Sequence, residues 1–173
     1  MFEYLKKYSK IIVTGPQRSG TTICSAMIAY DTDYTLIKEE SYYKFNYIKF
    51  KFILKRFKRI LDKENNFVIQ APTMCRFLEE FDSKDIVIIM MIRGIEDIIA
   101  SQKRVNWKRE QCELEKYNKI IGPISKVKYE YWNRIQKKKI KNYFEINYDS
   151  LSVHYLWISK ELRINFGARQ INL

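Results

Sequence analysis

Apolar residues along the chain alternate between short runs that are typical of strands and longer stretches with helical spacing. Five runs rich in β-branched and other apolar residues predict strands. One of them, DIVIIMMIR, is apolar almost throughout, which is typical of a strand covered on both faces. The five predicted strands are IIVTG at 11–15, YTLIK at 34–38, FVIQA at 67–71, DIVIIMMIR at 85–93 and YFEINY at 143–148.

Helical patterns separate these strands. The spacing of apolar residues predicts helices at 21–30, 44–63, 74–81 and 95–104, followed by a longer helical region that runs to about Lys141. Strands that alternate with helices in this way predict a parallel sheet with helices on both sides. We therefore expect a three-layer α/β/α fold with a central parallel β-sheet.

Composition narrows the class of protein. The chain has 173 residues, of which 46% are hydrophobic, so we expect a single folded domain and exclude a disordered chain. The most apolar run, IVIIMMI, is too short to span a bilayer, and the first residues lack the pattern of a signal peptide. Cys24, Cys75 and Cys112 lie far apart, which predicts free thiols rather than a metal site or a disulfide framework. A cytoplasmic location follows as an expectation.

The net charge of +12 fits an anionic small ligand, a nucleic acid or an acidic membrane surface. Two basic runs, at 44–63 and 126–141, carry much of it and interleave aromatic residues with lysines, as nucleic-acid surfaces do. Both runs also place apolar residues at helical spacing. This favours amphipathic helices with a solvated basic face, with a basic rim that attracts an acidic substrate as the main alternative. Nucleic acid is therefore not the expected partner.

The stretch GPQRSGTT at 15–22 lies between the first predicted strand and the first predicted helix. Gly15 and Gly20 permit a tight turn in which backbone N–H groups and the helix N-terminus converge on an anion. The spacing is that of a P-loop, except that Thr21 stands where the lysine that reaches the β- and γ-phosphates belongs. We therefore predict a P-loop-like α/β/α fold whose loop binds a single phosphate.

Further candidate ligands follow the first strand and the long buried strand. The loop hydroxyls supply donors and Arg18 supplies a cation. Arg93 ends the buried strand, and Ser101 comes eight residues later, two turns into the next helix, so this pair is placed to hold a second phosphate. The predicted nucleotide-binding residues are Gln17, Arg18, Ser19, Gly20, Thr21, Thr22, Arg93 and Ser101.

These two motifs resemble those of the sulfotransferases that use 3′-phosphoadenosine 5′-phosphosulfate (PAPS). In that family a loop like PxRSGTT holds the 5′-phosphosulfate, and an arginine and a serine eight residues apart hold the 3′-phosphate. The 5′ group is one phosphate that carries a sulfuryl group, so there is no γ-phosphate for a lysine at position 21 to reach. The resemblance implies PAPS as the cosubstrate, no metal, and residues 1–173 as a single sulfotransferase-like nucleotide-binding domain.

The likeness extends along most of the chain. VIQAPTMCRFLEEF is similar to the family's strand that ends in Lys-x-Pro, with Gln70 in the lysine position. YFEINYDSL is similar to its late strand with a Tyr-Glu/Asp-x-Leu signature, matched by Tyr148, Asp149 and Leu151. Two features depart from the family: RGIED lacks the Asp/Asn-Pro that often follows the arginine, and FGARQI at 166–171 is at most a reduced glycine-rich loop.

The resemblance implies in-line transfer of a sulfuryl group from PAPS to an acceptor hydroxyl or amine. Arg18 is the residue expected to stabilise charge on the leaving phosphate. Carbohydrate-modifying members carry a catalytic glutamate after the second strand, followed by paired aromatic residues. Glu39 has this spacing, and Glu40 is the alternative base. A third interpretation is that both glutamates are solvent-exposed residues at the end of a strand, without a catalytic role. With Glu39 as base, a saccharide acceptor is favoured, whereas the lone histidine, His154, is expected to be structural.

Two rival functions remain at this stage. A P-loop nucleoside or nucleotide kinase would share the fold, but it should carry a lysine at position 21 and an arginine-rich lid. A non-catalytic nucleic-acid-binding module is supported by charge and aromatic content alone. The sequence ranks the sulfotransferase first and leaves the acceptor and the oligomeric state open.

Overall fold

The computed structural model describes residues 1–43, 50–105 and 123–159. Within these ranges five strands form one sheet, and every neighbouring pair is parallel. The order β2-β3-β1-β4-β5 confirms the predicted central parallel sheet. The strands are β1 (Lys10–Thr14), β2 (Thr35–Ile37), β3 (Phe67–Gln70), β4 (Ile86–Ile92) and β5 (Tyr143–Asn147).

In the described ranges five α-helices connect or follow these strands, together with short 3₁₀ turns. Three predicted helices are present, although the helix predicted at 21–30 extends two residues further. Of the helix predicted at 44–63, the first six residues lie outside the described ranges. The helices are α1 (Thr21–Thr32), α2 (Phe50–Lys63), α3 (Ile95–Arg104), α4 (Ile124–Arg134) and α5 (Tyr155–Ile158).

Two helix predictions were wrong in detail. Instead of a helix at 74–81, the chain forms two 3₁₀ turns, Pro72–Arg76 and Leu78–Phe81, because Phe77 between them leaves the helical region with φ of −131°. The helical region predicted to reach Lys141 stops at the end of α4, since Ile135 adopts φ of −124°. The first two turns bury apolar side chains, among them Met74 and Leu78, whereas the short turn after α4 buries the polar Gln136.

The two faces of the sheet are covered by different helices, which confirms the three-layer arrangement. Alternate strand residues point to opposite faces, as in any pleated strand. Ile12 belongs to the core that α2 and α4 close, in which Phe57 and Trp132 are fully buried. Ile11 and Val13 belong to the core that α1 closes. The three inner strands, β1, β3 and β4, are therefore buried on both sides, as continuous apolar runs predict, whereas the edge strands β2 and β5 are partly exposed.

The sheet order decides what surrounds the phosphate-binding loop. β1 is central, with β3 on one side and β4 on the other. Because the strands are parallel, their carboxyl ends lie at one edge, where ligands bind in open α/β sheets. The loop at 15–22 is thus flanked by Gln70 at the end of β3 and by Arg93 just after β4.

The described ranges bear on the predictions about cysteines, metal ligands and membrane-spanning segments. Cys24 and Cys75 are buried free thiols, and Cys112 lies outside the described residues. Over residues 1–43, 50–105 and 123–159 no three His, Cys, Asp or Glu side chains cluster as metal ligands would. None of the helices in those ranges has the length and apolar character that a bilayer crossing requires.

Candidate functional site

The loop after β1 contains two positions that require glycine. Gly15 and Gly20 have φ of +146° and +100°, in the region that side chains with a Cβ rarely adopt. A Cβ on Gly20 would lie 2.4 Å from Cδ2 of Tyr148, and one on Gly15 would lie 2.7 Å from Oγ of Ser19. The loop is therefore packed against the end of β5, and its tight turn opens α1 at Thr21.

The predicted loop arginine and the predicted pair after β4 meet at one place. Arg18 donates a hydrogen bond from Nε to Oγ of Ser101 at 3.1 Å. Arg93 donates from Nη1 to the carbonyl oxygen of Arg18 at 3.0 Å, and its guanidinium lies 4.0 Å from the centre of the Tyr148 ring. The contacts of the two arginines thus connect the phosphate-binding loop to α3 and to the end of β5.

Two buried donors at this place have no hydrogen-bond partner in the described part of the protein: Nε of Arg93 and Oγ of Ser19. Leaving such a group unpaired costs about 1 to 3 kcal/mol. A buried donor beside a loop of backbone N–H groups is what an anion-binding site needs, because a bound phosphate supplies the missing acceptor. Of the two residues, Arg93 borders the open space above the loop and Ser19 does not.

The side of the loop towards β3 is held by side-chain hydrogen bonds. Gln70 donates from Nε2 to Oγ1 of Thr22 at 2.9 Å. The hydroxyl of Tyr42 donates to the carbonyl oxygen of Gln70 at 2.8 Å, which fixes the end of β3. Gln70, in the position where the resembling family has lysine, therefore contacts the loop through a neutral amide.

A cavity of about 470 Å³ opens above the loop. None of its described lining residues is Asp or Glu, whereas four are cationic: Arg18, Lys38, Arg93 and Arg104. The remaining wall combines loop hydroxyls with apolar side chains from α1, β2 and α5. The full set is Arg18, Gly20, Thr21, Thr22, Ile23, Ser25, Ala26, Leu36, Lys38, Gln70, Arg93, Ser101, Arg104, Tyr148 and Leu156.

Six of the eight predicted nucleotide-binding residues line this cavity, and two do not. Ser19 is buried behind the loop. Gln17 points towards α4, where its Oε1 accepts a hydrogen bond from Lys128. The six that line the cavity are Arg18, Gly20, Thr21, Thr22, Arg93 and Ser101.

Glu39 lies beside the cavity rather than in its wall. Its Oε1 accepts a hydrogen bond from the backbone N–H of Thr73 at 3.0 Å and another from the Thr73 hydroxyl. Burial raises the pKa of Glu39, and the two bonds from Thr73 and the charge of Lys128 oppose that rise in part. Glu40 is exposed, so only Glu39 of the two predicted glutamates has a fixed position.

Three cations at the site were missed by sequence reasoning. Lys38 directly follows β2, so it could have been predicted from the rule that ligands bind at the carboxyl ends of parallel strands. Arg104 lies one helical turn beyond Ser101, so the 3.6-residue period of the helix places it on the same face. Lys128 is buried on α4. In the sequence, its burial was indicated only by its position one helical turn before Trp132, on the apolar face of a basic helix.

His154 is buried away from the cavity wall. Its Nε2 lies 3.1 Å from Oδ1 of Asp31, and its Nδ1 accepts a hydrogen bond from the backbone N–H of Leu156 at 3.1 Å. The second contact makes Nδ1 the unprotonated ring nitrogen, so Nε2 donates to Asp31. These contacts anchor the start of α5 and leave no free ring nitrogen for proton transfer.

No protein-family model matches the sequence, and no curated protein matches it significantly. Among solved structures, shikimate kinase from Acinetobacter baumannii in complex with shikimate is similar, with a TM-score of 0.57 and 10% identity over 99% of this chain and 100% of that chain. The YorR protein from Bacillus subtilis, in complex with phosphorylated GDP, has a TM-score of 0.50 and 13% identity over 93% and 98%. These likenesses confirm the P-loop-like α/β fold, and at such identities they establish the fold alone.

Proposed function

We propose that the protein is a sulfotransferase that moves a sulfuryl group from PAPS to a hydroxyl or amine acceptor, with a carbohydrate as the favoured acceptor class. The observation that carries the proposal is the cavity beside a P-loop without lysine. Its described wall holds four cations and no carboxylate. Such a wall suits a ligand with several separate anionic groups.

The same donor set argues against a nucleoside triphosphate as the ligand. A P-loop that binds a triphosphate uses its lysine on the β- and γ-phosphates, together with magnesium held by a loop hydroxyl and an acidic residue. Thr21 stands at the lysine position, and the described cavity wall supplies no acid for magnesium. Arginine is the cation that best pairs with phosphates directly.

The residues divide between the two ends of the nucleotide. The loop N–H groups, Arg18, Thr21 and Thr22 would hold the 5′-phosphosulfate, while Arg93 and Ser101 would hold the 3′-phosphate. The buried Nε of Arg93, which lacks a partner in the described part of the chain, is a donor ready for that phosphate. PAPS, when bound, supplies a sulfuryl group activated by its anhydride bond to the 5′-phosphate.

In the proposed step the acceptor oxygen or nitrogen forms a bond to sulfur as the bond between sulfur and the 5′-phosphate oxygen breaks. Arg18 stabilises the charge that develops on the departing phosphate. Glu39 takes the acceptor's proton. Thr73 fixes Glu39 by two hydrogen bonds, and burial raises its pKa towards the working range of a general base, which favours it over the exposed Glu40.

The first test is calorimetric titration with 3′-phosphoadenosine 5′-phosphate (PAP) in EDTA, beside a titration with ATP and magnesium. We expect metal-independent binding of PAP with a dissociation constant on the order of micromolar, at the tight end of the range of enzyme KM values. Binding of magnesium ATP alone would support a kinase-like function instead. Binding of neither nucleotide, with steeply salt-dependent binding to oligonucleotides, would point to the nucleic-acid module.

The second test is transfer from ³⁵S-labelled PAPS to a panel of saccharides, with Glu39→Gln and Glu40→Gln as a matched pair. Loss of a general base lowers turnover by about 10²- to 10⁴-fold. Glu39→Gln should show this loss while PAP affinity is unchanged, and Glu40→Gln should resemble the wild type. A loss confined to Glu40→Gln would move the base to the neighbouring position.

A further inference from the structure

Lys128 is a buried cation that reaches the phosphate-binding loop from α4. The residue is 2% exposed and lies on the same helix face as the fully buried Trp132. Removing an ammonium group from water costs several kcal/mol unless hydrogen bonds and opposite charge compensate. The groups that accept hydrogen bonds from Lys128 therefore indicate the role of its buried charge.

Those partners belong to the ends of two adjacent strands. Nζ of Lys128 donates to Oε1 of Gln17 at 2.6 Å, in the loop after β1, and to the carbonyl oxygen of Pro72 at 3.0 Å, after β3. Thr73, the next residue, holds Glu39 through its backbone N–H and its hydroxyl. One ammonium group thus connects the loop to the turn that holds the candidate base.

We propose that Lys128 is a positioning residue for the transfer step, which fixes the phosphate-binding loop relative to Glu39 through its hydrogen bonds to Gln17 and Pro72. Its catalytic meaning rests on the sulfotransferase function proposed above. Lys128 does not line the cavity, so it acts through these residues and not by contact with the ligand.

The charges around Glu39 give this role a measurable consequence. Lys128 approaches Glu39 from α4, while Glu40 and Tyr42 face it from its own segment. Burial and Glu40 raise the pKa of Glu39, and Lys128 lowers it. Replacing Lys128 removes this charge, and any weakening of the two bonds from Thr73, which also lower the pKa, acts in the same direction, so the pKa of Glu39 should rise.

The decisive experiment compares Lys128→Met with Lys126→Met, a control at an exposed position on the same helix. The carboxyl carbon of ¹³C-labelled Glu39 is titrated by NMR, and PAP affinity and release of ³⁵S-sulfate from PAPS to water are measured alongside. In Lys128→Met we expect the Glu39 titration to move to higher pH. Turnover should fall on the order of 10²-fold, the loss expected from misplaced reacting groups, with PAP affinity within about threefold. Lys126→Met should match the wild type.

Turnover at the wild-type level in folded Lys128→Met overturns the proposal, and so does an unchanged Glu39 titration. If wild-type protein binds PAP and either result is obtained, the sulfotransferase function stands and only the role of Lys128 is lost. If wild-type protein binds no PAP, both proposals fall. Should Lys128→Met fail to fold, Gln17→Ala replaces it: turnover about tenfold below the wild type, at unchanged PAP affinity, supports the proposal, and wild-type turnover overturns it.

Discussion

Nε of Arg18 donates a hydrogen bond to Oγ of Ser101 at 3.1 Å, although the two residues lie 83 positions apart in sequence. This contact joins the loop after β1 to α3, which follows β4. The residues predicted for a 5′-phosphosulfate and for a 3′-phosphate therefore lie side by side in one site. Their effects on binding can be separated by ligands that carry one or both phosphates.

Ser101→Ala should weaken PAP binding about tenfold, because a hydrogen bond to a charged group contributes about 1.5 to 3 kcal/mol. The measurement is calorimetric titration with PAP and with adenosine 5′-phosphate, which lacks the 3′-phosphate. We expect the second ligand to lose much less affinity. An equal loss for both ligands would mean that Ser101 acts only by holding Arg18.

Arg93→Ala should weaken PAP binding more strongly, by about 10²-fold, since a guanidinium offers two charge-assisted hydrogen bonds to one phosphate. Arg59→Ala is the matched control, because Arg59 is an exposed arginine of α2 outside the cavity. If PAP affinity is unchanged in Arg93→Ala, Arg93 does not bind the 3′-phosphate.

Gly20→Ala should lower the free energy of unfolding by about 2 to 4 kcal/mol, because the new Cβ combines a left-handed backbone with a clash against the Tyr148 ring. Gly94→Ala is a control of the same chemistry. Gly94 has φ of −52°, and the nearest atom to its added Cβ is the end of the Asp97 side chain, which can move. Urea unfolding of both variants tests the difference, and equal costs would contradict it.

Asp85→Asn should reduce stability in a pH-dependent way. Hydrogen bonds from Lys10 and Ser83 lower the pKa of Asp85 from 3.8 to about 2. A lowered pKa in the folded state adds stability above the unfolded pKa, and this stability is lost as the pH falls through about 2. Because Asp85 is partly exposed, the expected cost at neutral pH is about 0.5 kcal/mol, vanishing below pH 2.

Urea unfolding at pH 7 and near pH 2 measures this dependence, with Glu64→Gln as an exposed control. A cost of Asp85→Asn that stays constant across the range would show that the hydrogen bonds of Asp85, and not its charge, provide the stabilisation.

The sheet and the loop could be predicted because local pattern determines them. A strand covered on both faces is apolar at every position, as 86–92 is, and the backbone of Gly15 and Gly20 excludes other residues. Sheet order then brings Arg93 to the loop without any further information.

What could not be predicted depends on distant partners or on single dihedral angles. The basic run at 126–141 gave no reason to bury Lys128, whose acceptors Gln17 and Pro72 lie 111 and 56 positions away. The helix expected at 74–81 is replaced by two 3₁₀ turns that meet at Phe77, whose backbone angle cannot be read from the spacing of apolar residues.

Tyr148 connects the cavity to an aromatic neighbour that no prediction used. Its ring lies under the Arg93 guanidinium on one side and in edge contact with Trp157, at 5.3 Å between ring centres, on the other. A ligand that draws Arg93 away from the ring changes the electric field at the indole of Trp157. Trp132 lies in the core on the opposite face of the sheet, and Trp107 lies outside the described residues. In a Trp107→Phe variant, the emission of Trp157 would therefore report cavity occupancy, with Trp132 as an internal reference and no label attached.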